Sequence, residues 1–83
     1  MTVLRLLGSE GNLTSATNLA TAKLVRVYNS GASDLVVTQK NSGGTTLATV
    51  TVMTKDTVFI AKAGLDTLEG GAALKVVSVA FSN

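Results

Sequence analysis

Apolar positions along this chain come in short runs bounded by glycine or small polar residues, and within the runs apolar side chains alternate with Thr and charged residues. A period of two marks a strand with one face buried. Val and Thr dominate these runs, Thr alone occurring 12 times, and both are β-branched residues that pack well on a pleated surface. The pattern predicts strands over residues 2–7, 23–29, 35–40, 45–53, 58–62 and 73–81. Asn41-Ser42-Gly43-Gly44 between two of them is a hairpin signal.

The intervening segments are less regular. Gly8-Ser9-Glu10-Gly11-Asn12 reads as a turn cluster, residues 30–34 as a loop and residues 54–57 as a tight turn. Residues 13–22 are ambiguous. They read as an irregular loop with a short strand near 18–21, while a helix over 15–19 capped by Thr14 is disfavoured by the β-branched and Asn content. Residues 64–68 form a short crossing segment, one helical turn or an irregular strand, broken by Gly70-Gly71. The sum is an all-β fold, a small β-sandwich or flattened barrel of about seven mostly antiparallel strands. It forms one domain over residues 1–83, with an N-terminal strand or arm and loop over 1–22 and a β core over 23–83.

Alternation also assigns faces. Val25 and Val27 point inward, with Arg26 outside and Tyr28 at the rim. Ala48, Val50 and Val52 form a clean apolar face opposite Leu47, Thr49, Thr51 and Met53. In the last strand Val77, Val79 and Phe81 lie in one phase, and Leu74 and Val76 in the other. Either a bulge sits near Val76-Val77 or both faces are covered, and covering both faces of a terminal strand calls for a partner chain.

Composition narrows the chemistry. The chain has 83 residues with neither Cys nor His. Disulfides, thiolate nucleophiles, imidazole bases and every zinc or haem ligand set except a pure carboxylate one are therefore excluded. A domain this small buries only about 60 to 65% of its unfolded surface, so good packing or partners must supply its stability. The net charge of +2 comes from seven basic residues spread singly, with three aromatic residues in all. Nucleic-acid binders cluster basic residues and interleave aromatics, so nucleic acid is not an expected partner. No apolar run approaches the ~20 residues that span a bilayer, and Arg5 interrupts the first one without a leader-like cleavage site. The chain reads as soluble, made in a cytoplasm, with no membrane partner.

No nucleophile–base pair is available, and none of the seven serines sits in a Ser-x-x-Lys spacing. The five carboxylates, Glu10, Asp34, Asp56, Asp66 and Glu69, all fall in expected turns, where such side chains bond the local backbone. Neither Gly43-Gly44 nor Gly70-Gly71 opens a phosphate-binding helix, and Asp66-Thr67-Leu68-Glu69 is too poor in oxygen donors for calcium. Enzyme activity, cofactors and metals are therefore not expected. Lys62 and Asp66 flank a turn, either as a surface ion pair or as a polar anchor at an interface.

Several segments resemble small all-β virion proteins of tailed bacteriophages, those of cyanophages in particular. They are Lys23-Leu24-Val25-Arg26-Val27-Tyr28-Asn29, Leu35-Val36-Val37-Thr38-Gln39, Gly44-Thr45-Thr46-Leu47-Ala48-Thr49-Val50, Val58-Phe59-Ile60-Ala61-Lys62, Asp66-Thr67-Leu68 and residues 77–83, with residues 2–6 in addition. The resemblance implies a non-enzymatic head decoration or cement protein on the outer capsid surface, with the major capsid protein as partner and a homo-oligomer as a further option. Thr2, Val3, Leu4, Arg5 and Leu6, as an arm able to add a strand to a sheet edge, join Lys62 and Asp66 as expected interface residues. The competing readings are a neck, tail or fibre-associated structural protein of the same phages, and a receptor- or glycan-binding module in which Tyr28 would matter.

Overall fold

The computed structural model describes residues 4–81, with side chains for residues 5–80. Thr2 and Val3 of the expected interface lie outside the described residues. Eight strands and no helix occur among the described residues: β1 Leu4–Leu6, β2 Gly11–Leu13, β3 Leu24–Asn29, β4 Leu35–Lys40, β5 Thr46–Val52, β6 Thr57–Ala61, β7 Thr67–Glu69 and β8 Gly71–Phe81. All pair antiparallel. One sheet runs β1-β8-β3-β6, with β2 also on β8, and the other runs β5-β4-β7.

The last strand of the chain is central in space. β3 lines one edge of β8, while β1 and β2 share the other. Five steps from Leu6 to Gly11 answer three from Val79 to Val76, so two extra residues bulge out between β1 and β2. The glycine-rich cluster at 8–12 is therefore a bulge in a continuing edge, and not a reversal of the chain. Glycines permit either, and the pairing with β8 decides.

β8 pairs with β3 without a shift from Val25 opposite Ser78 to Asn29 opposite Leu74. The bulge expected near Val76-Val77 is absent, yet Leu74 and Val76 on one face and Val77 and Val79 on the other are all buried. Both faces are thus covered within a single chain, and the inference that a partner must cover one of them falls. Arg26, opposite Val77 on β3, pairs at 3.5 Å with Glu10 from the bulge on the other side.

The core between the sheets comprises Leu13, Ala22, Val25, Val27, Val37, Val52, Leu68, Leu74 and Val76. Val25 and Val27 point inward as alternation predicts. Leu13 and Ala22 belong to the same cluster, so the stretch before residue 23 helps to build the core. Ala48 and Val50 do not join it: both are exposed, and of the expected inward trio only Val52 is buried. β5 is an edge strand, and an open groove separates its inner face from β6, so that face has little to pack against.

Residues 18–21 form neither strand nor helix. Leu19, Ala20 and Thr21 have φ of 55°, 56° and 61°, a left-handed turn that L-residues adopt at a cost of about 1–2 kcal/mol each. The Asn18 side-chain oxygen accepts from Thr21 N at 3.1 Å and its carbonyl from Ala22 N at 3.2 Å. Ahead of this turn, Thr17 and Leu68 exchange backbone hydrogen bonds of 3.1 and 2.9 Å, which join the β2 side of one sheet to β7 of the other. The sandwich is therefore a flattened barrel, closed along that side and open along the other, where β5 and β6 are the edges.

Candidate docking surface

Expected interface residues fall at two places. Leu4, Arg5 and Leu6 form β1, which is paired with the far end of its own β8, so these residues are not a detached arm. Arg5, Leu6 and Leu7 are exposed. Beside them a shallow groove of about 700 Å³ runs between Leu7 and Val79 on one side and the left-handed turn on the other.

Lys62 follows β6 and is only 8% exposed. Its Nζ donates to the carbonyls of Asn18 at 3.0 Å, Gly64 at 3.3 Å and Ala63 at 3.4 Å. It thus ties the left-handed turn to the residue 63–66 turn. Gly64 packs so close that an added Cβ would lie 3.2 Å from the Thr21 carbonyl. Burial pulls the Lys62 ammonium below the ordinary lysine range, and the Asp66 charge partly offsets this. No ion pair forms between the two. Asp66 instead accepts a 2.9 Å hydrogen bond from Gln39 Nε2. Neither end of the expected pair is arranged as a solvent-facing anchor: the cation is spent on backbone carbonyls and the carboxylate on a neighbouring strand.

The other carboxylates have partners too, only one of them local. Asp34 accepts from Thr54 N at 3.0 Å and Asp56 from Thr57 N at 2.8 Å. Glu69 lies in β7, not in a turn, and pairs with Lys40 at 2.5 Å. Among the described residues no three of Asp, Glu, His and Cys gather closely enough to hold a metal, and every buried side-chain nitrogen or oxygen has a hydrogen-bond partner. Tyr28 is covered on one face of its ring by the Arg26 guanidinium, 5.9 Å from the centroid.

What sequence reasoning missed is the open side of the barrel. Thr46 to Thr51, six consecutive residues of β5, are exposed on both faces. Leu47 is 52% exposed and Val50 42%, and Val36 beside them on β4 is 50% exposed. Between β5 and β6 lies an apolar groove of about 250 Å³, lined by Val37, Ala48, Val50, Val58, Ile60 and Leu68. Residues 41–53 contain no charged side chain. That uncharged run is the signal: a core strand tolerates it, but an edge strand with it lacks the usual protection against pairing.

The arrangement offers contact surface, with large apolar side chains exposed at β1 on one sheet edge and at β4, β5 and β6 on the other side. Comparison of the chain with family models, with curated proteins and with solved structures finds no match.

Proposed function

We propose that this protein is a non-enzymatic structural component of a tailed-phage virion, a decoration or cement protein bound to the outer surface of the major capsid protein lattice. The observation that carries the reading is the exposure of Leu6, Leu7, Val36, Leu47, Val50, Met53, Phe59 and Leu65 on a domain whose buried side-chain polar atoms, among the described residues, all have hydrogen-bond partners. Such surface gains stability when a partner hides it, at roughly 25 cal/mol per Å² before the costs of association.

The shape supports the same reading. The molecule measures 34 × 30 × 19 Å, a flattened body with two broad faces. Each copy contributes a modest contact, and reinforcement of the shell comes from many copies across junctions between capsid subunits. The resemblance of the strand segments to phage virion proteins supplies the partner class.

The test is copy number in purified particles of the encoding phage, measured by quantitative mass spectrometry against the major capsid protein. A decoration protein is present in hundreds of copies. A single ring's worth of copies would move the protein to the neck or tail, and its absence from particles would end the virion reading.

A further inference from the structure

We propose that the free edge of β5 is a homodimerisation site, where two copies pair antiparallel about a two-fold axis beside Thr49. β5 pairs only with β4 among the described residues, leaving its other edge open. Exposed edges are normally blunted by charge, proline, shortness or a covering loop. β5 spans seven residues, carries no charge or proline, and is exposed at every position from Thr46 to Thr51.

The strand's own pattern selects a second copy as the occupant. Centred on Thr49, antiparallel pairing sets Leu47 opposite Thr51 and Ala48 opposite Val50, with Thr49 opposite itself. Faces are preserved: Ala48 and Val50 share the groove side with Val37 and Gln39, their partners on β4, and in the dimer they meet the same residues of the second copy. The two apolar grooves then become neighbours, and the sheets join as β7-β4-β5 followed by its inverted repeat. Because residues 41–53 are uncharged, the pairing incurs no like-charge repulsion, and Thr–Thr contacts across such a ladder are favourable. β6, the other edge of the opening, is shorter and ends at Ala61, directly before the buried Lys62.

The experiment is sedimentation velocity on the full chain, with Thr49→Asp and Thr49→Lys variants, each confirmed as folded by its thermal transition. The expected result is a wild-type species of about twice the 8.4 kDa chain mass. Each variant, with like charges facing each other at the axis, should weaken the dimer about tenfold or more. An equimolar mixture of the two variants should restore it. A wild type that stays monomeric, open-ended polymers, or a dimer indifferent to both variants would overturn the proposal. So would monomeric wild type whose binding to phage heads is lost in the variants, since the edge would then serve another chain. Association is read without any head present, so this outcome is separable from that of the particle measurement.

Discussion

The Asn29 side-chain amide donates to the Val52 carbonyl at 2.9 Å, a bond that ties the end of β3 in one sheet to the end of β5 in the other. The same nitrogen donates to Ser33 O at 2.9 Å, and the side-chain oxygen accepts from Gly31 N at 2.9 Å. The residue is fully buried. Replacing it with Leu keeps the branched shape but strands two carbonyls and an amide, each costing about 1–3 kcal/mol if it stays dry. Asn29→Leu is expected to lose about 2–4 kcal/mol. At about 4–8 °C per kcal/mol for a domain of this size, calorimetry should show the melting temperature falling by about 8–30 °C. An unchanged transition would mean that Asn29 is not the clasp between the sheets.

Gly70 is the single residue between β7 and β8, where the chain passes from one sheet to the other. A Cβ there would lie 2.3 Å from Leu74 Cδ1 and 3.1 Å from the Val36 carbonyl. Leu74 is itself fully buried, so moving its methyl aside disturbs the core, and the Val36 contact is backbone. Gly70→Ala should therefore destabilise by about 1–3 kcal/mol. Gly8→Ala, with no atom within 4 Å of the added methyl, should be neutral or slightly stabilising. Chemical denaturation of the pair checks the contrast, and equal effects would contradict it.

Lys62 gives the fold a pH dependence in the alkaline range. Burial lowers its folded-state proton affinity, so just below the ordinary lysine value the unfolded chain binds more protons than the folded one. Stability then rises with pH through that window. Lys62→Met should remove this rise and cost about 1–2 kcal/mol at neutral pH from the lost carbonyl contacts. Asp66→Asn removes the charge that offsets the burial, so the rise should begin at lower pH. Denaturant midpoints measured from pH 7 upward for the three proteins decide it, and parallel curves would refute the assignment.

The Arg26–Glu10 pair lies over Val77, but both partners are partly solvated. A double-mutant cycle should return a coupling of only about 0.2–1 kcal/mol that fades with added salt. Val77→Ala, which removes buried apolar volume, should cost more, about 1–3 kcal/mol. A coupling larger than the Val77 effect would show that the ion pair, and not the buried valine, holds the bulge to the sheet.

Much of the fold can be read from local pattern, and the failures share a cause. The β4–β5 hairpin follows from Asn41 and Gly44: the Asn41 side chain accepts from Gly43 N and Thr45 N, and Gly44 takes φ of 89°. Val25 and Val27 alternate as buried residues should. Period-two alternation says which residues share a face, however, and not whether a second layer covers that face. Alternation therefore puts Ala48 and Val50 on a buried face and calls for a partner over Val77 and Val79, although β5 is a bare edge and β8 is central. The left-handed turn at 19–21 carries no glycine to announce it. Lys62, four residues from Asp66, gives no hint that its ammonium reaches the Asn18 carbonyl, in a turn 44 positions earlier. The groove of the candidate surface joins β4, β5, β6 and β7 and exists only once the barrel has closed on its far side.

The central claim is that the protein works by contact with a capsid lattice, and addition of the purified chain to expanded phage heads lacking it tests that most directly. Saturable binding at a fixed ratio to the major capsid protein, with heads that then resist heating or chelation better, is the predicted result. Heads that take up no protein, or take it up without any gain in resistance, would contradict the account.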